Sequence, residues 1–228
     1  TKVNIDMIMN GYNMFIKEQR VDRQNLQVLF EITLNNLQSD TGDVDEKDFI
    51  DRADILCSLG QTVLISNYQE YYKLVEYFSR YTKARMGLIM GVNNLIEVFE
   101  EKYYRHLNGG MLEAFGILFT RDLKVYVYPS KPSKEAEIMT TDSMPVHPRL
   151  KPLYEYLLHN KRLVDIDSYD PKVLHIFSKA VLDKIRAGEE GWEDMVPPYV
   201  DNMIKDNRLF GYVPPKPSPE PQKAGAQA

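Results

Sequence analysis

Three short apolar runs punctuate the chain: Thr62-Val63-Leu64-Ile65-Ser66, Met86-Gly87-Leu88-Ile89-Met90-Gly91 and Leu123-Lys124-Val125-Tyr126-Val127-Tyr128. Amphipathic stretches separate them, and this alternation constrains the fold more than any other feature. Short, largely uncharged runs rich in β-branched and aromatic residues suit strands covered on both faces. Helices between such strands return the chain to the same edge, which gives parallel βαβ units with right-handed crossovers. The expected class is therefore α/β: a Rossmann-like short parallel sheet flanked by helices, with N-terminal and C-terminal helical segments.

Apolar periodicity places helices at 3–18, 22–38, 45–59, 68–82, 93–106 and 111–120, and further helices at 149–160, 171–187 and 197–207. Asp22 and Asn93 stand where N-caps belong, Asp170-Pro171 is a helix start, and Gly60 is a helix stop. Three strands make a small sheet, so Val164-Asp165-Ile166 is a candidate fourth strand, or a partner completes the sheet. The organisation follows: a helical segment at 1–60, a Rossmann-like βαβ core at 61–130, a mainly helical segment at 131–212 and a Pro-rich tail at 213–228, extended or disordered by composition. Ser39 to Asp43 reads as a turn, and 130–148 reads as a loop.

At 228 residues the chain can bury a substantial core. A formal net charge of −5 argues against a generally basic surface for nucleic acid. No run approaches the roughly 20 apolar residues of a membrane helix. The first ten residues, TKVNIDMIMN, place Asp6 inside their apolar run, unlike a signal peptide. With a single cysteine, Cys57, no intrachain disulfide forms, which fits a reducing, cytoplasmic setting. Cys57 lies in the apolar helical run ADILCSL and reads as a buried core thiol rather than a nucleophile. The acidic residues of helix 45–59 (Asp45, Glu46, Asp48, Asp51 and Asp54) read as solvated, as does the pair Asp43 and Asp45.

Open parallel sheets bind ligands outside the carboxyl ends of their strands. That rule nominates Ser66, Asn67 and Tyr68 after the first strand, Gly91, Asn93 and Asn94 after the second, and Tyr128 to Lys131 after the third. Asn67 and Asn93 serve equally well as plain helix caps. Asn108, Gly109 and Gly110 precede a helix whose free N–H groups suit a phosphate, or they simply break the chain between two helices. Lys102, Arg105 and His106 supply positive charge there, or complement a helix C-terminus. The tyrosines Tyr68, Tyr71, Tyr72, Tyr77 and Tyr81 invite base stacking. The spacing of Tyr68, Tyr71, Tyr72 and Val75 on one face argues for packing on the sheet instead. His106, His147, His159 and His175 lack zinc spacing, G-x-S-x-G is absent, and no particular cofactor is singled out.

The stretch FIDRADILCSLGQTVLISNYQEYYKLVEYFSRYTKARMGLIMGV, followed by VFEEKYYRHLNGGMLEAFGILF, WEDMVPPYV and RLFGY, resembles a bacterial family often labelled nicotinate-nucleotide adenylyltransferase-like. The likeness runs from about residue 25 to 212. It implies a nucleotide-binding fold related to nucleotidyltransferases. Enzymes of that name carry H-x-G-H and I-S-S-T-x-x-R motifs, neither of which occurs here, so no catalytic residue carries over. TVLISN is also similar to the strand of haloacid-dehalogenase-like phosphatases that ends in a phosphate-binding Ser or Thr, here Ser66. The D-x-D strand of that family has no counterpart. The two functional expectations are thus a domain binding a nucleotide or phosphorylated small molecule, and a non-catalytic oligomerisation or interaction domain, the former a possible homo-oligomer as well.

Overall fold

A computed structural model describes residues 1–33, 46–133 and 135–214. In chain order the elements are α1 (Lys2–Phe15), β1 (Phe30–Thr33), α2 (Glu46–Ser58), β2 (Val63–Ser66), α3 (Tyr71–Tyr81), β3 (Gly87–Gly91), α4 (Val92–Val98), α5 (Gly110–Leu118), β4 (Lys124–Tyr128), α6 (Lys151–His159), β5 (Leu163–Asp165), α7 (Ser178–Ala187) and α8 (Val200–Asn207). The class is mixed α/β with parallel sheets. β3, β4 and β5 form one three-stranded sheet in that order, and β1 and β2 form a second sheet of two strands.

The central strand β4 explains the layering. Its side chains alternate, so Val125 and Val127 enter one core while Tyr126 and Tyr128 enter another. The valine face meets Leu88 and Met90 of β3 and is covered by α3, α4, α5 and α6 through Tyr72, Val75, Leu95, Val98, Phe115, Leu118, Tyr154 and Leu157. Covering a valine fully contributes about 1.5–3 kcal/mol. The tyrosine face is covered by α1, with Phe15 edge-on to Tyr126 at 6.1 Å, and by Ile166 and Leu174. Both tyrosine hydroxyls end on carboxylates, Tyr126 donating to Glu18 and Tyr128 to Asp6, so rings and polar tips are both satisfied. A further core gathers Ile55 of α2 with Val181, Ile185, Trp192, Val196, Val200 and Ile204.

Several expectations change. Residues 22–33 form no helix: Phe30–Thr33 is β1, paired in parallel with β2, and 34–38 lie outside the described residues. Inter-strand pairing overrides a helical spacing that Leu26, Leu29, Phe30 and Thr33 also satisfy. β2 accordingly lies in its own sheet rather than beside β3, while the fourth strand expected at 164–166 is present as β5. The helix expected from 171 begins at Ser178, after turns. Asp48 and Asp51 are buried, not solvated. Arg52 and Arg186 pair with Asp48, and Asp51 accepts the Phe210 N–H, which docks α2 against the C-terminal part of the chain. Cys57 is exposed, because Asp51 and Ile55 take the inner face of α2 instead. The turn at 39–43, the Asp43 and Asp45 pair and the tail from 215 lie outside the described residues.

Gly87 permits the close approach of α1 to the sheet. A Cβ there would stand 2.9 Å from the Phe15 ring and 3.1 Å from that of Tyr126. Both rings are buried, so neither moves freely. Gly87→Ala is expected to lower stability by about 1–3 kcal/mol in urea unfolding, and Phe15→Leu in the same chain recovers part of that loss. A Gly87→Ala chain as stable as the parent contradicts this packing.

Candidate functional site

The strands of each sheet are parallel, so each sheet has one carboxyl edge, the edge at which open parallel sheets bind ligands. On β1, period-two alternation sends Glu31 and Thr33 to one face and Phe30 and Ile32 to the other. The register pairs Thr33 with Ser66 and Glu31 with Leu64, so these four residues share a face at the end of the sheet. Ser66 Oγ donates to Glu31 Oε1 at 2.6 Å and accepts the Tyr68 N–H at 3.1 Å. Burial pushes the Glu31 carboxyl above the ordinary carboxylate range, and the Ser66 hydrogen bond opposes that shift.

A cavity of about 20 Å³ is lined by Glu31, Thr33, Tyr68, Gln69, Tyr71 and Leu74. Thr33 is only 5% exposed, and its hydroxyl has no hydrogen-bond partner among the described residues. Buried polar atoms are rarely left so. The Tyr71 hydroxyl is pushed up to about 12, first by burial and then by the charges of Glu31 and Glu97. Glu31 lies on β1 and Glu97 on the helix after β3. A second unpartnered hydroxyl, Ser130 Oγ, lies just beyond the end of β4 and is 8% exposed.

Beside this cavity runs a larger groove of about 380 Å³ between α3 and α5. The two helices pack side by side, and Arg121 holds their ends together by donating to the Ser79 and Thr82 carbonyls at the C-terminus of α3. Tyr68, Tyr72, Tyr77, Leu107 and Ile117 give the groove its apolar and aromatic walls, and Lys73, Arg80, Glu76 and Glu113 give it charge. Tyr68 and Tyr77 have ring centroids 6.0 Å apart, and Tyr77 and Tyr81 5.0 Å apart. Tyr68 is the common wall of groove and cavity.

The predicted site residues divide. Ser66 and Tyr68 stand at the cavity, and Tyr68 also at the groove. Asn67 is exposed and is not a helix cap, since Glu70 precedes the first residue of α3. Gly91 pairs in register with Tyr128 and is itself the N-cap of α4, so Asn93 and Asn94 are exposed helical residues outside both linings. Asn108 and Gly109 precede α5, and Gly110 is its first residue. There the Gly109 N–H donates to the Glu113 carboxylate at 2.8 Å, so the chain supplies its own anion at that helix start. His106, just upstream, hydrogen-bonds the Tyr72 hydroxyl at 2.9 Å. Tyr72 and Val75 are buried, as the packing argument expects, whereas Tyr77 and Tyr81 face outward, Tyr81 with 73% exposure. Among the described residues no group of His, Cys, Asp and Glu is arranged to hold a metal ion, and no helix is long and apolar enough to cross a membrane.

The helical spacing of 22–38 hides Glu31 and Thr33 in the sequence. The usable signal was the run Val28-Leu29-Phe30-Glu31-Ile32-Thr33. Like Val63-Leu64-Ile65-Ser66, it is apolar and ends in a hydroxyl, and Glu31 is its one charged residue.

The raised carboxyl of Glu31 fixes a sign. An unfolded chain ionises Glu31 near the ordinary value of about 4.3, and the folded chain ionises it at higher pH. Between those two values the folded state holds the extra proton, so this group makes stability fall as pH rises. Glu31→Gln removes the effect. The stability of Glu31→Gln minus that of the parent is expected to increase across that window in urea melts, and a constant difference contradicts the assignment. Compared with protein-family models, with curated proteins and with solved structures, the chain matches none, so the reading of its site rests on its own residues.

Proposed function

We propose that the chain binds a nucleotide or a related phosphorylated small molecule in the groove between α3 and α5, against the carboxyl edge of β1 and β2. One observation carries this reading. The groove has the size of a small-molecule site, is walled by Tyr68, Tyr72 and Tyr77, and shares Tyr68 with a polar cavity at the strand ends. A base stacked on a tyrosine face is worth about 1–3 kcal/mol. Lys73 and Arg80 are the cations within reach of phosphates. Among the described residues Arg80 pairs only with Glu76, at 3.4 Å and with both side chains well exposed. Such a pair is worth at most about 1 kcal/mol, less than a charge-assisted bond from a guanidinium to phosphate. No catalytic residue is assigned.

A thermal-shift screen with the four ribonucleoside 5′-monophosphates, their triphosphates and ribose 5-phosphate tests the reading. At a hundredfold excess over its Kd a ligand stabilises by about 2.7 kcal/mol. Tyr77→Ala and Arg80→Ala are each expected to weaken the binding of a hit by about tenfold, from the loss of stacking or of one charged contact. Absence of any shift sinks the proposal.

A second reading rests on a different face. Ile65 of β2 and Ile50 of α2 are each 53% exposed, although parallel strands are normally covered on both sides. In this reading a second copy covers Ile65. Sedimentation of the parent should then show a dimer that Ile65→Lys dissociates, and a monomer at high concentration rules it out.

A further inference from the structure

We infer that the cavity between Thr33 and Glu31 receives a sugar-ring hydroxyl of the ligand, which makes the ligand a ribonucleotide rather than any phosphorylated compound. This rests on the nucleotide reading above and specifies its chemistry.

Four observations converge. Thr33 Oγ1 is nine-tenths buried, lines the cavity and has no partner among the described residues, so it offers both a donor and an acceptor. On the same face of β1 the Glu31 carboxyl accepts Ser66 on Oε1, and among the described residues no donor reaches Oε2, which leaves it open to a further donor. Ser66 is spent holding that carboxyl in place, and its own hydroxyl is fixed by the Tyr68 N–H, so Ser66 is a positioning residue here. The volume, about 20 Å³, suits one oxygen with its hydrogen and no larger group.

Charge then selects the group. An ionised phosphate oxygen beside Glu31 meets a like-charged carboxylate, or binds only where that carboxyl first takes up a proton, and either costs binding free energy at neutral pH. A neutral hydroxyl donates to Glu31 Oε2 and accepts from Thr33 Oγ1 without that cost, and its two bonds satisfy both open groups at once. Position agrees with this selection. Tyr68 walls both spaces, so a base stacked in the groove on Tyr68 and Tyr77 brings its attached sugar to the cavity, while the phosphate stays on the groove side with Lys73 and Arg80.

The test is calorimetric titration of the full chain with ribonucleoside 5′-monophosphates and with their 2′-deoxy and 3′-deoxy counterparts, on the parent, Thr33→Val and Thr33→Ser. One lost hydrogen bond in a buried site is worth about tenfold in Kd. The parent is expected to bind one ribonucleotide about tenfold more tightly than one of its deoxy forms. Thr33→Val should lose that preference while binding the deoxy form as the parent does, and Thr33→Ser should keep it. Thr33→Val should also fold at least as stably as the parent, since it removes a buried unpaired hydroxyl, and this separates a ligand role from a structural one. Equal binding of ribo and deoxy forms by the parent overturns the inference and leaves the nucleotide reading standing. So does a Thr33→Val chain that weakens both forms alike, because the cavity then holds only a water. Failure of the folded parent to bind any of these nucleotides overturns both.

Discussion

The parallel pairing of β3 with β4 is the constraint on which the rest depends. Gly87 to Gly91 run in register with Lys124 to Tyr128. That pairing fixes which side chains of β4 face each way. Two valines then demand a helical cover on one side, and two tyrosines demand both a cover and polar ends on the other. α1 meets the second demand with Phe15, Asp6 and Glu18 on or just beyond one helix. α3 to α6 meet the first. α3, which leads from β2 to β3, and α5, which leads from β3 back to β4, leave a groove between them.

Buried polar atoms without a hydrogen-bond partner among the described residues are Thr33 Oγ1, Ser79 Oγ, Arg85 Nε and Ser130 Oγ. Asp6, Glu18, Asp48, Asp51 and Asp165 all have hydrogen-bonded or ion-paired partners within the chain, which is what burial ordinarily requires. Thr33 and Ser130, both just at or beyond strand ends, have no side-chain partner among the described residues. Leaving a buried hydroxyl unpaired costs about 1–3 kcal/mol.

Much of the fold was legible because hydrophobic burial wrote it directly. Runs such as Gly87 to Gly91 and Leu123 to Tyr128 are too short and too apolar for anything but covered strands, and α3 to α6 follow from helical spacing. β1 was illegible for a physical reason. Phe30-Glu31-Ile32-Thr33 is only four residues long, its spacing also fits a helical stripe, and its strand state is fixed by a partner more than thirty residues away. The site suffered from the same error. Ser66 and Tyr68 could be placed from the strand-end rule, but Glu31 and Thr33 reach the site only through the β1–β2 register. Gly109 and Gly110 looked open as a phosphate cradle, since no local pattern announces that Glu113, four residues on, turns back to accept the Gly109 N–H.

The central claim is that ligand recognition belongs to the face shared by β1, β2, α3 and α5. Its most direct test is nuclear magnetic resonance of the isotope-labelled chain during titration with the ribonucleotide that gives the largest thermal shift. The account predicts that amide and side-chain shifts change together at Thr33, Ser66, Tyr68, Lys73, Tyr77 and Ile117, with little change at α7 and α8. Shifts confined to the far side of the sheet, around α1 and Tyr169, or to the C-terminal helices, would place recognition elsewhere and contradict it.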